Sequence, residues 1–193
     1  MKKLITIFGP SGAQRGDHLY SEAEILGASL AEAGYGIVCG GYDGVMEAVS
    51  RGAASRGSGV VGVTAEVYTG RGRVPNEFIT REVKVKSAVD RLMELVDLAD
   101  AYVALGISPG SMLEVATAWD MMSKNFIEAK PLVLIGDEWR GICDVLLTQE
   151  WYLGKSKFVN IVDTPEEAIE RLNDRLGLQE DLPELPVVLQ AET

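Results

Sequence analysis

The stretch Ala101-Tyr102-Val103-Ala104-Leu105-Gly106-Ile107-Ser108-Pro109-Gly110-Ser111-Met112-Leu113-Glu114 runs from a short apolar segment, through a turn of small residues, into an amphipathic segment. A buried strand passing through glycine into a helix is the repeating unit of a parallel α/β sheet. The same grammar recurs upstream, where Tyr35 to Cys39 is apolar and Gly40-Gly41-Tyr42-Asp43-Gly44-Val45-Met46 makes the turn. Gly9-Pro10-Ser11-Gly12 follows the first apolar run in the same way. Glycine lets the backbone approach a ligand closely, and a helix start offers unpaired N–H groups to an anion. Turns of this kind at one sheet edge point to a phosphate-bearing ligand held between them, with the Glu114 carboxylate one helical turn inside.

Working outward, strands are expected at Leu4–Phe8, Gly36–Cys39, Val60–Val63, Ala101–Leu105, Leu132–Ile135 and Phe158–Val162. Most are continuous apolar runs, as parallel strands buried on both faces require. Leu19, Ala23, Leu26, Leu30 and Ala33 recur at helical spacing, and Gly34 ends that helix. Further helices are expected over Gly44–Ser55, Lys86–Leu98, Ser111–Lys124, Gly141–Gln149 and Pro165–Leu176, the last capped by Thr164. The alternation predicts a Rossmann-like doubly wound parallel sheet in three α/β/α layers, occupying residues 1–177 as one domain, with an acidic tail over 178–193. Thr64–Thr80, glycine-rich and basic, reads either as an active-site loop or as a plain surface loop.

At 193 residues and 47% hydrophobic content the chain is long enough for a sizeable core. No apolar run approaches the roughly 20 residues that span a bilayer, and the N-terminus lacks a secretory signal pattern. The net charge of −11 argues against a nucleic-acid partner. Residues 163–193 alone carry −7, which leaves the remaining body at −4 and close to balanced toward an anionic ligand. Cys39 and Cys143 have no metal-ligand spacing and are read as free thiols in a reducing cytoplasm.

Individual residues carry competing readings. GGxxGxM over Gly40–Met46 differs from the dinucleotide fingerprint, so its glycines serve either ligand approach or packing alone. Ser11 is placed to donate to a phosphate or to stabilise its turn. Ser111 can donate N–H and hydroxyl to a phosphate, and Ser108, Gly110 and Met112 flank it. Glu114 stands where a capping-box acid would follow Ser111, or else reaches a ribose hydroxyl or a water. Arg91, taken alone, reads as an exposed arginine paired to Asp90 or Glu94. His18 is a lone histidine, better suited to a turn than to a metal. Trp119 and Glu150-Trp151-Tyr152 read as core or interface aromatics.

Taken together, the segments from Leu4 to about Leu176 resemble the Lonely Guy-type phosphoribohydrolases, a family often mislabelled as lysine decarboxylases. Its GGGxxGLM-like turn matches Gly40 to Met46, and its ADAxxAL strand matches Ala99-Asp100-Ala101-Tyr102-Val103-Ala104-Leu105. Its PGGxGTxxE motif falls on Gly106 to Glu114, of which only the second half is kept, and Leu92 replaces the lysine that usually follows the arginine. The resemblance implies hydrolysis of a nucleoside 5′-monophosphate to free base and ribose 5-phosphate, with Arg91 and Glu114 catalytic. It further implies phosphate contacts from Gly9, Ser11, Gly40, Gly41, Gly44, Met46, Ser108, Gly110, Ser111 and Met112, no cofactor, and a homodimer or higher homo-oligomer. Trp119, Met121 and Met122 are the expected interface residues. A related branch resembles molybdenum-cofactor carriers, and it implies the alternative: a non-catalytic carrier of a nucleotide-like or pterin phosphate. Pro109, which has no N–H to offer a phosphate, suits that alternative.

Overall fold

Strand β1 (Leu4–Phe8) lies at the centre of the sheet, parallel to β5 (Ala101–Leu105) with Ile5 opposite Ala101 and Phe8 opposite Ala104. In this computed structural model, which describes residues 2–148 and 156–177, the other neighbour of β1 is β2 (Gly36–Cys39). Outward from β2 come β3 (Val60–Ala65) and β4 (Arg81–Val85), and outward from β5 come β6 (Leu132–Ile135) and β7 (Val159–Val162). The seven strands are all parallel, in the order β4-β3-β2-β1-β5-β6-β7. The chain therefore winds one way from β1 and then returns to continue from its other side. That reversal leaves a crevice beyond the C-terminal ends of β1 and β5, where open α/β sheets bind ligands.

Helices α1 (His18–Glu32), α2 (Val45–Ser55) and α7 (Pro165–Leu176) cover one face with Ile5, Ile7, Val103 and Val133 beneath them. Helices α4 (Ala88–Asp97), α5 (Pro109–Ser123) and α6 (Asp137–Leu147) cover the other, over Phe8, Tyr102, Ala104 and Leu134. Successive residues of each strand feed opposite cores, which is why the central strands read as unbroken apolar runs. Helices α1 and α2 approach closely because Gly27 and Gly52 face each other's backbone. A Cβ on Gly27 would lie 2.1 Å from the Val49 carbonyl oxygen, and one on Gly52 2.0 Å from that of Glu24.

Buried polar groups tie α4 to the sheet. The Thr6 hydroxyl donates to the Leu95 carbonyl at 2.9 Å, and the Tyr102 hydroxyl to that of Val96 at 2.9 Å. Asp100, from the ADAxxAL strand, accepts the Leu4 N–H at 2.8 Å and so locks the start of β1 beside β5.

Several boundaries differ from expectation. Thr64–Thr80 is not one loop: β3 continues to Ala65, a short helix α3 (Glu66–Thr69) follows, and residues 70–80 lead into β4. Strand β4 escapes an apolar-run search because it is an edge strand with charged residues at its exposed positions. Helix α5 begins at Pro109 rather than Ser111, since Ser108 caps it and proline suits the first helical position. Helix α6 begins at Asp137, directly after Gly136 closes β6 with φ +107°, and Asp137 and Glu138 complement its dipole. Gln149, Glu150-Trp151-Tyr152 and the acidic tail lie outside the described residues.

Trp119 and Met122 do not form an external interface within this chain's surface. Both are buried on the face of α5 that packs against the sheet, and the partly buried Met121 adjoins the same cluster. Among the described residues, no helix is long and apolar enough to cross a membrane.

Candidate functional site

The crevice at the reversal of strand order opens into a cavity of about 490 Å³. Its walls come from the loop after β1 (Gly9 to Gly12), the turn after β2 (Gly40, Tyr42, Met46) and the first turn of α5 (Ser108 to Ser111). Tyr68 and Arg73 close one side, and Arg91 and Glu114 lie within.

Arg91 is not the exposed arginine that its neighbours suggest. Asp90 is committed to the helix cap, where it accepts the Ser87 N–H at 3.1 Å while Ser87 Oγ accepts the Asp90 N–H at 3.0 Å. Ser87's hydrogen bonds hold the Asp90 carboxyl below the usual carboxylate range. Arg91 instead points inward, with its side chain only 11% exposed. Its Nε donates to the Val63 carbonyl at 2.8 Å and Nη2 to the Met46 sulfur at 3.5 Å. The guanidinium also rests on an aromatic corner, 5.5 Å from the Tyr42 ring centre and 5.6 Å from that of Tyr68. Tyr42 is fixed in turn by the Ala65 N–H, which donates to its hydroxyl at 3.0 Å.

Glu114 faces Arg91, with Oε1 3.8 Å from Nη1. That separation is an ion pair without a hydrogen bond. The Glu114 side chain is 16% exposed, and burial pushes its carboxyl up to about 7 against the opposing pull of Arg91. Burial wins because charge–charge attraction at that distance recovers only part of the lost hydration. A carboxyl poised near neutrality both donates and accepts a proton at physiological pH.

Glu114 is not a capping acid. The cap is closed upstream by two serines: Ser108 N–H donates to Ser111 Oγ at 2.7 Å, and Ser111 N–H to Ser108 Oγ at 3.1 Å. The Ser111 hydroxyl also sits 3.1 Å from the Ser108 carbonyl. Ser111 is thus buried, with its N–H and hydroxyl both paired within its own turn. Within that first turn Pro109 has no N–H, whereas the Gly110 N–H has no hydrogen-bond partner among the described residues.

The remaining expected contacts divide. Gly9, Ser11, Gly40, Met46, Ser108, Gly110 and Ser111 line the cavity, whereas Gly41, Gly44 and Met112 do not. Gly44, at φ +70°, instead admits the first loop: its Cβ would meet the Pro10 carbonyl oxygen at 2.4 Å, and Val45 N–H donates to that oxygen at 3.0 Å. The first N–H of α2 is therefore taken by protein. Met112 lies 42% exposed on the outer side of α5. His18 is an exposed surface residue 3.7 Å from Glu22. Among the described residues no group of three or more His, Cys, Asp or Glu is placed to hold a metal.

Sequence reasoning passed over Tyr42, Tyr68 and Arg73 as individuals. The signals were faint: a tyrosine inside the glycine turn, and a basic, glycine-rich stretch that proves to line the cavity.

Comparison with known proteins follows the same lines. The profile of the SLOG cluster4 family matches residues 2–168. An uncharacterized protein of Archaeoglobus fulgidus is 29% identical over 133 residues, covering 69% of this chain and 85% of that protein. The molybdenum cofactor binding protein of Rippkaea orientalis superposes with a TM-score of 0.71 at 26% identity, over 90% of this chain and 97% of that one. The molybdenum cofactor carrier protein of Chlamydomonas reinhardtii shares the fold, with a TM-score of 0.72 at 21% identity over 91% and 99% of the two chains. The resemblance to the Lonely Guy-type enzymes holds at the level of this LOG-like superfamily.

Proposed function

The chain belongs to the SLOG cluster4 family, and from that premise we propose that it binds and carries a phosphate-bearing heterocycle of the pterin kind. The observation that carries this reading is the near full-length likeness, at 26% identity, to a molybdenum cofactor binding protein. The site supports it chemically. The phosphate lies at the Ser11 hydroxyl and the Gly110 N–H, and the flat ring system extends toward Tyr42, Tyr68 and Arg91. The 2-amino-4-oxo edge of a pterin presents adjacent N–H donors, and the Glu114 carboxylate accepts them as a fork. Here Glu114 works in its ionised form, and Arg91 fixes its orientation.

A second reading rests on a different observation, the buried Arg91–Glu114 pair. In that reading the chain hydrolyses the N-glycosidic bond of a nucleoside 5′-monophosphate, including cytokinin-type N6-modified AMP. The protonated Glu114 carboxyl donates to the departing base, its conjugate base then takes a proton from the attacking water, and free base and ribose 5-phosphate leave.

One experiment separates the two. Binding of a molybdopterin-bearing cofactor and of nucleoside 5′-monophosphates is measured beside ribose 5-phosphate release, in wild type, Glu114→Gln and Arg91→Ala. Tight pterin binding without turnover establishes the carrier. Turnover abolished by both substitutions establishes the hydrolase and sinks the carrier reading.

A further inference from the structure

Arg73 is a cation for which neither reading yet has a use, although it lines the same cavity as Arg91 and the first turn of α5. It is held at the rim by Asp43, through an ion pair between the Arg73 Nη1 and Asp43 Oδ2 atoms. Both partners are about half exposed, at 48% and 55% of their side chains. The backbone beneath them is fixed. Arg73 N–H donates to the Tyr68 carbonyl at 3.1 Å, and Asn76 clamps the β2 turn by donating its N–H to the Gly41 carbonyl at 2.9 Å and Nδ2 to that of Tyr42 at 2.9 Å.

The charges in the cavity make this pair informative. Arg91 is engaged by Val63, Met46 and Glu114, so its guanidinium is held in place inside the protein. The α5 start offers an anion little beyond the Gly110 N–H, because Pro109 has no N–H and the Ser111 donors are spent on Ser108. The start of α2 has given its Val45 N–H to Pro10. Among the described residues lining the cavity, Arg73 is therefore the cation whose partner is solvent-exposed and exchangeable. An exposed carboxylate holds an arginine weakly, whereas a phosphate carries more charge and matches the guanidinium fork with two parallel hydrogen bonds.

We propose that Arg73 is the specificity-determining residue for the ligand's phosphate, and that Asp43 competes with that phosphate for the same guanidinium. This rests on the phosphate-ligand reading but not on which heterocycle the phosphate bears. Asp43 sets a threshold: a monoanionic carboxylate ligand gains little by replacing it, and a phosphate dianion gains more. The β2 turn thereby selects among anions through a residue that need not touch the ligand.

The two halves of one ion pair then have opposite effects on binding, which a merely structural bridge cannot produce. Inorganic phosphate is titrated into the full chain, wild type and the variants Arg73→Ala, Arg73→Lys and Asp43→Asn, following the amide signals of Ser11 and Gly110 by NMR. Arg73→Ala is expected to weaken phosphate about tenfold, Arg73→Lys to recover part of that loss, and Asp43→Asn to tighten it about threefold. Arg73→Ala and Asp43→Asn moving affinity in the same direction, Arg73→Ala having no effect, or wild-type Ser11 and Gly110 signals staying unmoved each overturn the proposal. Should the opposed effects hold while a pterin phosphate binds no better than inorganic phosphate, the carrier reading fails and the role of Arg73 stands.

Discussion

Gly40 and Arg91 occupy one another's space: a Cβ on Gly40 would lie 1.5 Å from the Arg91 Nη2 atom. The glycine at the end of β2 thus makes room for an arginine of this chain. Its missing side chain is the slot through which the guanidinium reaches Val63, Met46 and Glu114. The obstructing atoms are the ends of flexible side chains, since Met46 Sδ is next at 2.6 Å. Gly40→Ala is therefore expected to fold and to expel the arginine. Its ligand affinity or turnover should fall as far as that of Arg91→Ala, with a stability loss of about 1–3 kcal/mol. Wild-type function in a well-folded Gly40→Ala protein would show that Arg91 does not act from this position.

Glu114 makes stability depend on pH in a stated direction. Its folded carboxyl titrates near 7, above the ordinary 4.5. Between those values the folded chain holds a proton that the unfolded chain has released. Stability is therefore greatest below that window, falls as pH rises through it, and is level above it, with a total of about 3 kcal/mol. Glu114→Gln lacks this contribution. Denaturation measured from pH 5 to 8 should show the Gln variant gaining on wild type as pH rises; parallel curves would contradict the raised carboxyl.

The same titration gives the two functional readings opposite profiles. A carrier that uses the Glu114 carboxylate as an acceptor loses ligand as pH falls through about 7. A hydrolase that uses the protonated carboxyl as its acid loses kcat as pH rises through that range. Affinity followed against pH in wild type and Glu114→Gln, and turnover followed in wild type, decide which protonation state works.

Ser111→Ala tests whether the Ser111 hydroxyl serves the helix cap or a ligand. The hydroxyl closes the cap by accepting the Ser108 N–H at 2.7 Å, so its removal should cost about 1 kcal/mol of stability. Ligand affinity should change less than about threefold, because the group is already satisfied within the protein. A loss of affinity far beyond the stability change would return Ser111 to the phosphate.

Gly27→Ala probes the scaffold away from the site. The added methyl would meet the backbone of α2 2.1 Å away at Val49, which cannot rotate aside. Unfolding by denaturant should show a loss of about 3 kcal/mol or more. The pH profile of whatever chemistry Glu114 performs should keep its shape.

Much of this architecture was legible as pattern. Leu4–Phe8, Gly36–Cys39, Ala101–Leu105 and Leu132–Ile135 were readable as strands because parallel strands buried on both faces admit only apolar residues. Arg81–Val85 was not, because an edge strand needs only one covered face and tolerates charge on the other. Glu114 announced itself by standing beyond a small-residue turn at the expected sheet edge. The inward path of Arg91 did not, since its neighbours Asp90 and Glu94 offer equally good local partners on paper.

The sequence by itself determined the class of fold and the sheet edge where a site is expected, because periodicity and glycine placement are local properties of the chain; Arg91 was singled out only by the family resemblance. Tertiary structure decided which donors remain for a ligand. Ser111 and Val45 look available along the chain, yet Ser111 is consumed by its own cap and Val45 by Pro10, whereas the Gly110 N–H has no partner among the described residues. It also decided the chemistry of Glu114, whose raised carboxyl comes from burial beneath segments distant in sequence. A hydrogen-bond inventory and a desolvation energy belong to the packed molecule, and neither is a property of any stretch of residues read alone.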